Sequence, residues 1–259
     1  MAGFKTHITV STVVGVGYGA LGLGLDYPLE SCMLAGGLCG IAGILPDLDS
    51  KSGVPVREIM ALAAAVVPMM MIDRFQHMNM GPESIVLAGA LIYIVIRFGV
   101  GEIFKLYTVH RGMWHSIPAA ITCGLLAMFI CSCEDYRLRV FKAVAVFLGF
   151  MVHLALDELW SIELRGGRVH LKSSFGTAIK FWGKSLWGNL STYAKLIAMI
   201  AVTMGDPILM EQFGVQPFNP RVPTNAQEWF EHVWQKHGEP LRQADAGAAL
   251  PIEPHSHAH

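Results

Sequence analysis

Charge is what this chain has least of. Only 15% of its 259 residues are Asp, Glu, Lys or Arg, against roughly 25% in an ordinary water-soluble domain. Hydrophobic residues reach 53% and mean hydropathy is +0.45. So little polar surface excludes a chain that keeps itself in water, and it excludes disorder, collagen and coiled coil too. A net charge of -1 supplies no basic face, so no nucleic-acid partner is expected. Paired cysteine is also missing. Cys32, Cys39, Cys123, Cys131 and Cys133 are odd in number and sit in or beside apolar runs, where cysteine acts as a small buried hydrophobe rather than as a disulfide framework. No small-x-small cleavage pattern follows the first residues, so no signal peptide is expected. What remains is a membrane protein.

Its apolar runs fall at 9–25, 32–45, 59–72, 85–100, 117–133 and 140–156. A span needs about 20 residues with about 17 as the lower limit, so some of these are long enough to cross and others are short. The expected fold is all-α: a polytopic membrane bundle of about six apolar helices over residues 1–160. In the first run Gly15 and Gly19 are four apart, a spacing that lets another helix approach closely in lipid. Residues 161–205 mix Arg165, Arg168, Lys172, Lys180 and Lys184 with Phe175, Phe181, Trp182 and Trp187, which suits helices at headgroup level. Leu196 to Met204 is too short a run to cross, and reads as interfacial or re-entrant. Residues 206–259 form a Pro-rich polar tail with one amphipathic helix at 224–238, where Thr224 and Gln227 make a capping box and Trp229, Phe230 and Trp234 share a face.

Seven ionisable residues stand at the ends of the apolar runs: His7, Asp47, Asp49, His110, His115, His153 and Asp157. Tracing six spans puts all seven on one face of the membrane. His153 and Asp157, four apart on a helix, share a side. Ionisable groups inside an apolar segment cost several kcal/mol unless paired, so they point to function by default. Mixed imidazole and carboxylate ligands suit a divalent metal, zinc best, with manganese or iron as competitors. Ser50 and Ser116 read as helix caps rather than nucleophiles. Asp26, Glu30, Asp73, Arg74, Glu134 and Asp135 fall on the other side and read as solvated loop charge.

The chain resembles the YdjM-like family of LexA-binding, inner-membrane-associated metal-dependent hydrolases. The resemblance rests on His7 before a small-residue helix, Leu-Pro-Asp-Leu-Asp-Ser at 45–50, His-Arg-Gly-Met-Trp-His-Ser at 110–116, and His153 with Asp157 near the end of a later helix. It covers residues 1 to about 160, and implies an inner-membrane location and a distant similarity to the all-helical zinc phospholipase C and P1 nuclease enzymes.

The expected function is a membrane-bound metal-dependent hydrolase, acting on phosphoester bonds of lipid or lipid-linked substrates through a metal-activated water. His7, Asp47, His110, His115, His153 and Asp157 would hold the metal. Asp49 would be a seventh ligand or the general base, and Arg111 would pair with a phosphate or developing oxyanion. The alternatives are a non-enzymatic metal transporter or sensor using the same residues, and a regulatory protein whose tail docks a partner. Eleven Lys and Arg lie in loops on the side of the seven residues against four on the other, so the site and both termini are expected in the cytosol.

Overall fold

Helix α1 (Phe4–Leu23) buries a stripe of His7, Ser11, Gly15, Gly19 and Gly22 and turns its large apolar side chains outward. Val13, Val16 and Leu21 are each about two-thirds exposed. That inversion is stable only where the surroundings are hydrocarbon. The computed structural model describes residues 3–49, 53–100, 112–165, 168–171 and 179–214. Within them α1 lies along α2 (Leu29–Ala42), with almost no side chain between. A Cβ on Gly15 would collide with the Gly36 carbonyl, and one on Gly19 would come within 2.8 Å of the Cys32 carbonyl. The glycine spacing in α1 therefore serves contact within the chain.

A 3₁₀ turn (Leu45–Asp49) follows α2. Next come α3 (Gly53–Met70), broken three residues after Pro68, then α4 (Ile72–His77) and α5 (Pro82–Ile94), which ends in a π-helical turn, Val95–Val100. Helix α6 (Ile117–Ile130) starts where the Ser116 hydroxyl accepts the Ala119 N–H, the capping role expected for that serine. Helix α7 (Tyr136–Leu159) is the longest and packs on α1, α2 and α6. A hairpin of β1 (Ile162–Arg165) and β2 (Arg168–Leu171), helix α8 (Leu186–Met204) and helix α9 (Pro207–Gln212) complete the described chain.

The bundle is helical, as expected, but its apolar helices are of two kinds. Among the described residues, four stretches are long and apolar enough to cross a membrane: Phe4–Leu23, Ile59–His77, Pro82–Val100 and Tyr136–Leu159. The two shorter helices, α2 and α6, have 14 residues each, about 21 Å of rise, and they flank α7 and supply its core contacts. Phe150, Leu154 and Val146 of α7 pack with Ala119, Ala120 and Cys123 of α6 and Ala42 of α2. Cys32 and Cys39 pack with Phe141 and Ala145, as small hydrophobes without a disulfide among the described residues. In contrast, α5 has no buried residue, and Val86, Leu87 and Leu91 all face outward.

Three expectations are corrected. Residues 162–171 form a hairpin in which Arg165 pairs with Arg168, not a headgroup-level helix. The two residues between the strands are Gly166 and Gly167, a pair suited to a two-residue connection. Second, Leu196 to Met204 is the latter half of α8, 19 residues or about 28 Å long. Its N-terminal approach is tied to the start of α6, where Ile117 donates to the Lys180 carbonyl at 3.1 Å. Asp206, just past its C-terminus, is tied to the far end of α6 and α7. Third, Arg74 is not loop charge. Its Nη2 donates to Asp206 Oδ2 at 2.7 Å and to the Phe129 carbonyl at 2.7 Å, and Arg139 Nη2 donates to the same Asp206 oxygen at 2.6 Å and to the Met128 carbonyl at 2.9 Å. The two guanidinium groups thus satisfy carbonyls that the last turn of α6 leaves without intrahelical donors. The tail helix at 224–238 lies outside the described residues.

Candidate metal centre

Five of the seven residues singled out meet at one end of the bundle, each carried there by a different piece of local structure. His7 sits in the second turn of α1, and the Ser11 hydroxyl donates to its carbonyl at 2.7 Å. Asp47 is carried by the 3₁₀ turn. His115 stands one residue before the cap of α6, in a turn held by its own N–H to the Gly112 carbonyl at 3.2 Å and by the Trp114 indole donating to the Leu45 carbonyl at 2.9 Å. His153 and Asp157 occupy successive turns of α7. His7, His115 and His153 are buried, with exposures of 1%, 2% and 0%. The backbone of Asp49 lies in the same 3₁₀ turn, while its side chain is outside the described set. His110 and Arg111 also lie outside the described residues.

His153 fixes the chemistry. Its Nδ1 is 2.7 Å from the Gly43 carbonyl. A carbonyl only accepts, so Nδ1 carries the hydrogen, and the neutral ring presents a lone pair at Nε2. That Nε2 lies 3.7 Å from Asp47 Oδ1 and 3.8 Å from Asp157 Oδ2, without a hydrogen-bond partner. Asp157 Oδ1 in turn lies 3.3 Å from His7 Nε2. The His7 and His153 rings stack with centroids 3.7 Å apart, and the His115 ring stands edge-on to His153 at 5.7 Å.

Among the described residues, an acceptor lone pair faces two carboxylates in this site, an arrangement that suits a cation. Donor atoms around one tetrahedral zinc, at 2.0–2.1 Å from it, sit about 3.3–3.4 Å from one another. The observed 3.3, 3.7 and 3.8 Å are close to that spacing. Two triplets have ligand atoms all within 4.8 Å of one another, His7 with Asp47 and His153, and His115 with His153 and Asp157. They share His153, and the donor set fits a divalent cation.

Sequence reasoning did not find the supports of this cluster. The Gly43 carbonyl that orients His153 is one of the unpaired carbonyls at the end of α2, and no side-chain pattern announces it. Gly149, one turn before His153, has no room for a side chain, because a Cβ there would overlap the Cys39 carbonyl. Exposed Trp160, Phe181, Trp182 and Trp187 ring the same end of the bundle, the position of an interfacial aromatic belt. The YdjM inner membrane protein family matches residues 1–171, from His7 through Asp157. The chain belongs to that family. No curated protein and no solved structure matches it. The family match contains all the helices that bring the histidine–aspartate cluster together and stops at the end of the hairpin.

Proposed function

We propose that this YdjM family member is a membrane-embedded metal-dependent hydrolase acting on phosphoester bonds of lipid or lipid-linked substrates. The observation that carries the reading is the His153 lone pair, fixed by Gly43 and turned toward the carboxylates of Asp47 and Asp157. His7, Asp47, His115, His153 and Asp157 would hold the cation, zinc by preference and manganese or iron as competitors, with His110 from the adjoining segment. A bound divalent metal supplies an acidified water as nucleophile and charge to stabilise a phosphoryl oxygen. Asp49 would take the proton from that nucleophile, and Arg111 would grip the phosphate through its planar fork.

The lipid assignment is supported by location. The cluster lies at one end of the bundle among exposed tryptophans, at the depth where lipid esters and phosphates sit. A transport site belongs near the bilayer midplane, so the same location weighs against the transport reading. The test is elemental analysis of detergent-purified protein beside hydrolysis of a generic phosphodiester. At least one transition metal and measurable turnover are expected, both diminished in His153→Ala. A metal-free, inactive protein would end the reading.

A further inference from the structure

An apolar groove of about 520 Å³ runs along the outer face of α1 and α2, from Ile8 and Ile41 at one end to Leu23 at the other, with Val16, Met33 and Gly37 between. Ile8 to Leu23 is fifteen residues of helix, so the groove is about 22 Å long. The close-approach glycines Gly15, Gly19 and Gly36 are already engaged between α1 and α2.

The surroundings name the occupant. Helix α1 is among the stretches long enough to cross a membrane, and Val16 and Met33 are about two-thirds exposed, so what meets the groove is lipid. One leaflet of hydrocarbon is about 15 Å deep, half of a core about 30 Å thick, and the groove covers all of it. Its Ile8 end adjoins His7. Its Ile41 end is two residues from Gly43, which holds His153. The described residues behind that end include His7 and His153, which are buried and do not line the groove.

We propose that the groove holds one acyl chain of a glycerophospholipid from the leaflet facing the cluster, and so brings the headgroup ester to the end of α1 and α2 that carries His7 and Gly43. The presentation of the ester rests on the hydrolase reading; the seating of the chain rests on the groove alone.

Gly37 lines the groove, and a Cβ there would meet nothing within 4 Å. Gly37→Phe therefore fills the groove without separating the helices. Gly17 is equally open but lies off the groove, so Gly17→Phe is the control. The full chain is reconstituted in phosphatidylcholine vesicles containing phosphatidylcholine with a photoactivatable acyl chain, and labelled peptides are mapped. Wild type and Gly17→Phe should be labelled around Val16 and Met33. Gly37→Phe should be labelled there about tenfold less, the loss expected when roughly two methylenes of contact disappear, with labelling of α5 unchanged. His153→Ala should keep the groove label. Labelling of the groove no greater than that of α5, and indifferent to Gly37→Phe, overturns the proposal. So does a crosslink to a second copy across the groove, which would make the occupant protein. If Gly37→Phe removes the label while wild type hydrolyses no phosphodiester, the chain site stands and the hydrolase reading falls.

Discussion

Gly149 of α7 rests against the Cys39 carbonyl of α2, one helical turn before His153 reaches the Gly43 carbonyl. The two contacts are consecutive rungs between the same helices, so the first sets the distance over which the second must act. A Cβ at 149 has to push α7 away from α2. Gly149→Ala should then cost about 1–3 kcal/mol, as overpacking does, and should also lower metal affinity by lengthening the bond that orients His153. Gly17→Ala, with open space around its Cβ, should change neither. Thermal unfolding and metal titration of the two variants make the comparison; equal behaviour would mean that the spacing of α2 and α7 does not govern the site.

Removing a ligand should be more severe than disturbing its support. His153→Ala and Asp157→Ala should each lose more than the 10–100-fold in metal affinity that outer contacts typically contribute, because His153 belongs to both candidate triplets and Asp157 lies between His7 and His153. Metal per chain after dialysis against a chelator measures it. Full stoichiometry in both variants would remove these residues from the ligand set.

The convergence of His7, Asp47, His115, His153 and Asp157 was legible because apolar sequence makes ionisable residues conspicuous. Alternating spans then carry the ends of successive helices to the same side. What escaped was set by tertiary partners. Arg74 reads as loop charge until Asp206, 132 residues away, reaches it and Arg139 together. Helix α8 read as short because its first half, from Leu186, mixes Trp187, Asn189 and Lys195 among apolar residues, and its length shows only when it lies along α6. The hairpin was legible in Gly166-Gly167 but was overlooked beside the basic and aromatic residues around it.

Asp206 is the counter-charge for the buried guanidinium of Arg139 and the partly buried one of Arg74, and its loss should be felt in stability rather than in metal content. Burial by itself would raise its carboxyl, but the hydrogen bonds and charges of Arg74 and Arg139 outweigh it and hold the group below the usual carboxylate range. The unfolded chain therefore binds this proton more readily than the folded one. The contribution is complete above the ordinary carboxylate value, about 4, and is lost as pH falls through the lower folded value. Asp206→Asn should cost about 3–5 kcal/mol at neutral pH by leaving buried charge uncompensated. It should also flatten the acid limb of the stability curve. Denaturation of both proteins across the acid range tests this. Parallel curves would show that Asp206 does not supply the acid dependence.

Because α8 runs from the start of α6 to Asp206 beside Arg74 and Arg139, the chain at residue 206 is at the opposite end of the bundle from His7. The chain beyond residue 214 lies outside the described residues. The count of Lys and Arg, eleven against four, is the ground on which the site is expected to face the cytosol. Of the four cations assigned to the other side, Arg74 and Arg139 are bonded to Asp206 and are not free loop charge. Lys5 and Phe213 are both exposed and mark the two ends. In spheroplasts, a membrane-impermeant maleimide should label Phe213→Cys and leave Lys5→Cys untouched until the membrane is opened. Labelling of both, or of neither, would mean that residues 5 and 213 do not lie on opposite faces of the membrane. Labelling of Lys5→Cys alone would keep the two residues on opposite faces but reverse the orientation, and would turn the histidine–aspartate cluster, with the lipids it could reach, to the outer leaflet.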